Sequence, residues 1–252
     1  MQGSVSSATE NGIGTVTFFH PQSNSLPGEI LTKLAQEIAS LGNNPDVKVI
    51  ILKSEGEKAF CAGASFDELI SIKDFETGKK FFSGFAHVIN AMRKAPKFVL
   101  VRVQGKAVGG GVGLACAGDY TFGLDSSSVK LSELAIGIGP FVVGPAVERK
   151  IGSGPFSQLS INATEWYSSQ WAKEKGMYSE LYSSIGEMDI AIQTLAERLS
   201  KSNPEAMMLL KKAFWQGTDH WDTLLFERAE MSGKLVLSDF TRNAIEKFKA
   251  KA

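Results

Sequence analysis

The stretch from Gly105 to Asp119 reads GKAVGGGVGLACAGD, with four glycines among the five positions 109–113. It follows an apolar run at positions 98–103 that is typical of a buried strand, and we expect it to open a helix at Val112. Each glycine inside a helix costs about 1 kcal/mol relative to alanine. Because glycine has no Cβ, the free N–H groups at a helix start can touch a ligand, and the helix dipole favours negative charge there. The stretch therefore predicts a binding place for a phosphate, a carboxylate or a developing oxyanion.

A purely structural reason for these glycines stays open, because a helix of small residues packed closely on a sheet has the same composition. Nucleotide motifs do not fit: the Gly-x-Gly-x-x-Gly spacing is absent, and no Gly-Lys-Ser/Thr sequence follows. A second loop of small residues, Cys61-Ala62-Gly63-Ala64-Ser65, follows the apolar run at 47–52. It offers another unpaired backbone N–H, although most loops of this kind are only turns.

Outward from these two places, segments with strand and helix periodicity alternate along the chain up to about residue 185. Beyond that point almost every segment has helical periodicity. The pattern predicts an α/β core that carries an all-helical C-terminal segment. We assign residues 1–186 to the core and residues 187–252 to the helical segment.

The composition excludes several classes of protein. The 252 residues include 27 basic and 27 acidic side chains, a formal net charge of +0, which argues against nucleic-acid binding driven by bulk charge. The longest weakly polar run, 107–118, is too short to span a membrane, and the first residues lack a secretory profile. Two cysteines and three scattered histidines give neither a disulfide framework nor zinc spacing. We expect a cytoplasmic protein without a metal site or a membrane partner.

Glu133 is the candidate acid–base residue, because its surroundings in the sequence, LSELAIGI at 131–138, are apolar. Apolar surroundings raise the pKa of a carboxyl group toward neutrality, where it can both take and give a proton. A surface glutamate beside a turn is the alternative that the sequence leaves open. Ser127 and Lys130 have the spacing of a nucleophile and its base, a match that arises often by chance. Cys61 has no histidine near it in sequence, so a buried thiol is expected.

Four segments, taken together and in order, resemble the enoyl-CoA hydratase/isomerase superfamily, the crotonase family, over roughly residues 12–250. They are Asn24-Ser25-Leu26, the FCAGA loop at 60–64, the glycine-rich stretch at 105–115 followed by Asp119, and SELAIG at 132–137. The resemblance implies a crotonase-like spiral of ββα units. It also implies that the helical segment 187–252 serves oligomerisation, giving a homotrimer or a dimer of trimers. The implied ligand is an acyl-CoA thioester, with no cofactor beyond the CoA that belongs to the substrate.

The resemblance also implies a role for individual residues. The backbone N–H groups of Ala64 and Gly110 would form an oxyanion hole that holds the thioester carbonyl and stabilises the enolate, and Glu133 would be the base. Removing one such donor typically costs about 3–4 kcal/mol of transition-state stabilisation. The remaining residues implied to line the substrate site are Ala62, Ser65, Gly109, Gly113 and Phe141.

Departures from the family pattern decide which reaction we expect. Hydratases of the family use two glutamates, and Gly113 stands where the second one falls. Shuttling one proton between two carbons needs only one base, so we expect a Δ3-Δ2 enoyl-CoA isomerase with Glu133 as the shuttle. Ser65 stands where many members have Asp. The bulky sequence Phe141-Val142-Val143 is expected to narrow the acyl pocket and disfavour long, wide chains.

Two alternatives stay open. In the first, the protein is a hydratase or decarboxylase in which Asp67 or Glu68 supplies the second catalytic carboxylate. In the second, it is a non-catalytic acyl-CoA binding protein. For the CoA phosphates, the candidate partners are Lys58 and, from the C-terminal tail, Lys247 and Lys249.

Overall fold

Within residues 3–249, the part of the chain that the computed structural model describes, the strands form two sheets flanked by helices. The strands are β1 (Ser4–Glu10), β2 (Ile13–Phe19), β3 (Val49–Ser54), β4 (Ala59–Cys61), β5 (Phe98–Val103), β6 (Lys106–Val108), β7 (Tyr120–Leu124), β8 (Ser128–Lys130), β9 (Tyr167–Ser168) and β10 (Glu180–Tyr182). The helices are α1 (Gly28–Asn43), α2 (Phe66–Ser71), α3 (Phe75–Lys94), α4 (Gly110–Ala117), α5 (Gly144–Ile151), α6 (Ser153–Ile161), α7 (Ser169–Glu174), α8 (Ile185–Ser200), α9 (Pro204–Phe214), α10 (Trp221–Leu235) and α11 (Asp239–Lys249). A 3₁₀ turn spans Glu133–Ile136.

The larger sheet has six strands in the order β1-β2-β3-β5-β7-β10. β1 and β2 pair antiparallel, and every other pair in this sheet is parallel. The apolar runs predicted as strands at 47–52 and 98–103 are confirmed as β3 and β5, which lie side by side at its centre. β1 escaped the sequence analysis because it is an edge strand, and only Val5 of its seven residues is buried.

The smaller sheet has four short strands in the order β4-β6-β8-β9. β4, β6 and β8 run parallel to one another, so their carboxyl ends meet at one edge. Open α/β sheets bind ligands at such edges, because the loops that leave the strands are free to vary there. The Ala62 loop, the glycine run and Glu133 each follow one of these three strands.

Each C-terminal helix covers a different part of the α/β core. α8 covers one face of the larger sheet through Met188, Ile192 and Ala196, and the predicted boundary at 186/187 falls inside its first turn. α10 packs along α3, where a Cβ on Gly78 would lie 3.1 Å from Gly233 Cα. α11 contacts the 3₁₀ turn, since Thr241 Oγ1 donates a hydrogen bond to Gly137 O at 3.3 Å. No helix within residues 3–249 is both long and apolar enough to cross a bilayer.

The fold confirms the predicted mixed α/β class with a helical C-terminal segment. Two helix starts were predicted imperfectly. The helix expected to open at Val112 begins two residues earlier, at Gly110, because the glycines themselves form its first turn. The sequence of 141–151 also predicts a helix that starts at Phe141, whereas the observed helix begins at Gly144, after a turn that holds Phe141 and Val143.

Candidate active site

The candidate site lies at the edge where the smaller sheet's three parallel strands end. The Ala62–Ser65 loop follows β4, Gly109 and Gly110 follow β6, and Glu133 follows β8 by three residues. Gly109 N–H donates to Lys130 O at 2.9 Å, which ties the end of β6 to the end of β8. The topology therefore brings together three segments that are 23 to 71 residues apart in sequence.

Helix α4 shows why the glycine run is needed. All eight of its residues are buried, and the backbone enters it through Gly109 with φ +52° and ψ −113°, a conformation that favours glycine. A Cβ on Gly110 would lie 2.2 Å from the ring of Phe85, and one on Gly111 would lie 2.3 Å from Cys61 O. Close packing, the structural reason that the sequence left open, therefore applies to these glycines, and it does not exclude a ligand at the helix start.

The N–H groups of Ala64 and Gly110 are both free of hydrogen bonds to the rest of the described chain, residues 3–249. They belong to segments in contact, because a Cβ on Gly63 would lie 3.7 Å from Gly110 N and 3.2 Å from Val108 O. Gly110 is the first residue of α4, so its N–H also lies at the positive end of the helix dipole.

The loop that carries Ala64 is fixed by the turn before α1. Leu26 N–H donates to Gly63 O at 2.7 Å, and Ser65 N–H donates to Leu26 O at 3.0 Å. Ser25 Oγ donates to Ala64 O at 2.8 Å. Because its neighbours and its own carbonyl are held in this way, Ala64 presents its N–H from a rigid frame.

Asn24 positions that turn through the hydrogen bonds of its side chain, which the sequence alone does not show. It has φ +55°, its Oδ1 accepts from His20 N–H, and its Nδ2 donates to Glu55 O and Ala59 O at 2.9 and 3.0 Å. Asparagine tolerates the left-handed region better than other residues with a side chain. The Asn-x-Leu segment was therefore a signal for a turn, and its bonds join that turn to β4.

Glu133 begins the 3₁₀ turn with its carboxyl end buried against Gly109. A Cβ on Gly109 would lie 2.9 Å from Oε1 and 3.7 Å from Oε2 of that carboxyl group. Oε2 is buried and has no hydrogen-bond partner among the described residues. Burial away from water raises the pKa of Glu133 to about 7, so the group can accept and release a proton near neutral pH.

The remaining residues implied to line the site have definite neighbours. Ala62 N–H donates to Ser23 O at 3.2 Å, and the buried Ser65 places its hydroxyl on Glu68 N–H at 3.3 Å, where it caps α2. The ring of Phe141 folds back onto Gly139. A Cβ on Gly113 would lie 2.6 Å from Val143 Cγ1, so an adjacent segment already fills that position.

The carboxylates offered for a second acid are engaged elsewhere. Asp67 is exposed, and its Oδ2 accepts from Gln22 Nε2 at 2.9 Å. Glu68 Oε2 accepts from Gly28 N–H at 2.9 Å, in the first turn of α1. Both bonds hold these side chains on the Gln22–Gly28 turn.

Other sequence candidates do not form a site. Cys61 is a fully buried thiol, and burial raises its pKa to about 12, as expected for a structural cysteine. Ser127 Oγ donates to Leu124 O, whereas Lys130 Nζ lies 5.1 Å from the ring centre of Trp166, so the two are not a nucleophile and its base. Within residues 3–249 no group of three or more His, Cys, Asp or Glu side chains could hold a metal ion.

The lysines offered for CoA phosphates are not gathered at this edge. Lys58 is exposed and precedes β4, at the opposite end of that strand from Ala62. Lys247 is exposed on α11, and the side chain of Lys249 lies outside the described residues.

An apolar cluster beside the site was missing from the sequence analysis. It joins α2, α3, the 3₁₀ turn and the C-terminal segment. Its buried members are Leu69, Ile72, Phe81, Ile138, Val236 and Ile245, with Ala64, Phe66, Ile70, Phe82, Ile136 and Leu237 packed against them. A residue-by-residue reading could not find this cluster, because it draws on parts of the chain more than 160 residues apart.

The geometry defines a site for acid–base chemistry: a buried carboxyl group with a raised pKa lies near free backbone N–H donors at a helix start. The chain belongs to the enoyl-CoA hydratase/isomerase family, whose family model matches residues 8–251. This confirms the family resemblance inferred from the sequence.

Individual relatives are similar over most of this chain. It is 26% identical to the short-chain-enoyl-CoA hydratase of Clostridium acetobutylicum, over 95% of this chain and 92% of that protein. It is 28% identical to the Delta(3,5)-Delta(2,4)-dienoyl-CoA isomerase of Arabidopsis thaliana, over 73% of this chain and 70% of that protein. The crystal structure of an enoyl-CoA hydratase from Bacillus halodurans superposes with a TM-score of 0.89 at 20% identity, covering 96% of this chain and 99% of that one. Acyl-CoA thioester substrates are characteristic of this family.

Proposed function

We propose that this protein is a Δ3-Δ2 enoyl-CoA isomerase in which Glu133 carries one proton from C2 to C4 of the acyl chain. One observation carries the proposal: Glu133 presents a buried carboxyl oxygen without a partner, and the described residues bring no second carboxylate to it. A single base is sufficient for moving a proton, whereas adding water requires that the water be both held and activated.

The backbone N–H donors act on the thioester carbonyl oxygen, whereas Glu133 acts on the carbon atoms of the acyl chain. The thioester oxygen accepts from the N–H groups of Ala64 and Gly110, which stabilise the negative charge that develops there. When Glu133 takes the proton from C2, the electron pair of the broken C–H bond enters the dienolate. Protonation at C4 uses the C3=C4 π pair for the new C–H bond. The C1=C2 pair of the dienolate then becomes the C2=C3 double bond, and the thioester carbonyl re-forms.

The lining favours a narrow, apolar acyl chain. Val143 stands beside α4, Phe141 lies in the same turn before α5, and the cluster around Phe82 and Ile136 is apolar. The Ser65 hydroxyl accepts a hydrogen bond from Glu68 N–H at the start of α2. Ser65 therefore borders the substrate site by packing and does not hydrogen-bond the substrate. Ala62 belongs to this lining through the loop that carries Ala64, and Gly109 and Gly113 belong to it through Glu133 and Val143, which pack against them.

Hydration of a 2-enoyl-CoA is the second candidate, because relatives of this chain are named hydratases. Against it stand the hydrogen bonds that hold Asp67 on Gln22 and Glu68 on Gly28. Decarboxylation with either group meets the same objection.

The test is to assay the purified protein separately with 3-enoyl-CoA and 2-enoyl-CoA thioesters. We expect isomerisation of the first, abolished in the Glu133→Gln variant, and little hydration of the second. Fast hydration of 2-enoyl-CoA that depends on Glu133 would overturn the choice of isomerase. Tight calorimetric binding of acyl-CoA without turnover on either substrate would instead indicate a non-catalytic binding protein.

We also propose that the protein acts in the cytoplasm as a homotrimer or a dimer of trimers, with CoA entering only as part of the substrate. Light scattering of the intact protein measures the assembly, and a monomer at assay concentration would contradict this proposal.

A further inference from the structure

One face of helix α4 carries two glycines whose missing side chains are replaced by other parts of the chain. Gly109 precedes the helix, and Gly113 lies one turn further in, because Gly113 N–H donates to Gly109 O at 3.2 Å. The first position is filled by the Glu133 carboxyl group, with Oε1 2.9 Å from where a Cβ would lie. The second is filled by Val143, with Cγ1 at 2.6 Å and Cβ at 2.8 Å.

The neighbourhood of the second position is apolar. Ile89 Cδ1 lies 3.6 Å from the same point, and Val143 itself is 4% exposed within the main core cluster. An apolar wall therefore lies one helical turn, about 5.4 Å along the axis, from the glycine that the Glu133 carboxyl group contacts. Neither Val143 nor Ile89 carries a side-chain hydrogen-bond donor or acceptor.

A wall of this kind decides what a proton on Glu133 can do. A buried water molecule needs two to four polar partners, and an apolar wall supplies none. The unpartnered Oε2 shows that no described protein group takes the proton either. On the side of Val143 and Ile89, therefore, no polar group can pass the proton from the carboxyl group to water.

We propose that Val143 is a specificity-determining residue that keeps water from Glu133, so that the proton taken from C2 returns to C4 of the same substrate molecule. This inference rests on the proposed isomerisation. Exchange of that proton requires a water molecule beside Oε2, and hydration of the product requires the same molecule as a nucleophile. Val143 suppresses both by occupying the space with an isopropyl group.

The experiment follows deuterium during isomerisation of 3-enoyl-CoA in D₂O, using mass spectrometry of the 2-enoyl-CoA product at low conversion. The variants are Val143→Thr, which keeps the volume and adds a hydroxyl, and Val143→Ala, which opens space. Val147→Ala is the matched control, because Val147 is a fully buried valine one turn further along in α5. Thermal melting shows that each variant is folded.

We expect the wild-type product to retain most of the substrate proton at C4. The ratio of deuterium to hydrogen there should rise by about tenfold in Val143→Thr, because a hydroxyl gives water a partner. Val143→Ala should raise the same ratio and form detectable 3-hydroxyacyl-CoA, and Val147→Ala should match the wild type.

Two results separate the inference from the proposed function. Isomerisation that proceeds with full deuterium incorporation at C4 in the wild type, unchanged in both Val143 variants, would overturn the role of Val143 and leave the isomerase standing. A wild-type protein that does not isomerise 3-enoyl-CoA at all would overturn the proposed function itself.

Discussion

Two buried carboxyl groups stand at opposite ends of helix α4, and they are used in opposite ways. Asp119 follows the helix, and its side chain is 5% exposed. Its oxygens accept from Val99 N–H at 2.7 Å, from Lys211 Nζ at 2.5 Å and from Trp215 Nε1 at 2.8 Å. Both oxygens of this carboxylate therefore accept from donors, and the bonds join β5, α9 and the C-terminal end of α4.

Glu133, at the other end, has a buried Oε2 without a partner among the described residues. A buried polar atom without a hydrogen-bond partner lowers the folding stability by about 1–3 kcal/mol, so its presence needs an explanation that the folded chain alone does not supply. A ligand is the natural reason. The two carboxyl groups therefore differ in availability: the fold supplies hydrogen-bond donors to Asp119 and leaves Oε2 of Glu133 for a ligand.

An open cleft of about 770 Å³ lies beside Asp119, lined in part by Arg149, Lys150 and Trp221. Its one buried carboxylate accepts from three donors, whereas Oε2 of Glu133 has no partner among the described residues. The following predictions test this contrast, beginning with the largest expected effect.

Glu133→Gln should lower kcat/KM for isomerisation by roughly 10²–10⁴-fold, because the amide cannot accept the C2 proton. Stopped-flow or steady-state assays with 3-enoyl-CoA measure the loss. Asp67→Asn, which alters an exposed carboxylate held by Gln22, is the control and should remain within about threefold of wild type. A similar loss in both variants would mean that Glu133 is not the special acid.

Lys211→Met should lower the free energy of unfolding by about 3–5 kcal/mol, because it leaves the Asp119 charge buried without its cation. Urea denaturation measures the change. The control is Lys212→Met, which makes the same substitution at the exposed neighbouring lysine. Activity per folded molecule should stay at the wild-type level. An unchanged midpoint of unfolding would show that Asp119 is not the structural counterpart described above.

Gly109→Ala should lower kcat by about 10²-fold, because the new Cβ would meet Glu133 Oε1 at 2.9 Å and displace the carboxyl group. Gly152→Ala is the matched control, since Gly152 also has a positive φ, +82°, but nothing lies within 4 Å of its missing side chain. Both variants carry backbone strain, and only the first should lose activity. Equal kinetics in the two would show that the contact with Glu133 does not matter.

The pH dependence of stability gives the smallest effect. The pKa of Glu133 is raised to about 7 from 4.5, so between these values the folded protein binds more protons than the unfolded chain. The stability that this adds is fully present below pH 4.5 and is lost as pH rises through 7. Wild type should therefore lose roughly 2–3 kcal/mol relative to Glu133→Gln over this range, measured by urea denaturation at several pH values. If the difference in unfolding free energy between wild type and Glu133→Gln does not change with pH, the Glu133 carboxyl group is exposed to water in the folded protein.

Much of the fold could be predicted because long buried segments have clear periodicity. The apolar runs at 47–52 and 98–103 predict the central strands β3 and β5. Apolar residues at helical spacing within 30–41 and 81–92 likewise predict α1 and α3. The strands of the smaller sheet that carry the site have only two or three residues each, too few to show a period. Their pairing depends on contacts across the chain, which sequence spacing does not encode.

The site was predictable in its parts and not in its arrangement. The glycine run and the apolar setting of Glu133 could be read locally, since each is a departure from ordinary composition. That Val143 fills the space beside Gly113, or that Ser65 turns its hydroxyl to cap α2, follows only from packing between separate elements. Roles assigned to Ala64 and Gly110 stay predictions until a substrate complex is measured.

The close packing of helix α4 limits which residues can be substituted when this protein is redesigned. Its glycines are closed in by groups from other elements: Phe85 from α3, Cys61 from β4, Glu133 from the 3₁₀ turn and Val143 from the turn before α5. Randomising the helix itself would mainly yield unfolded chains, because no position there has room to grow. A mutant library aimed at new acyl selectivity should instead vary Phe85 and Val143, whose side chains can change shape while the helix keeps its backbone path.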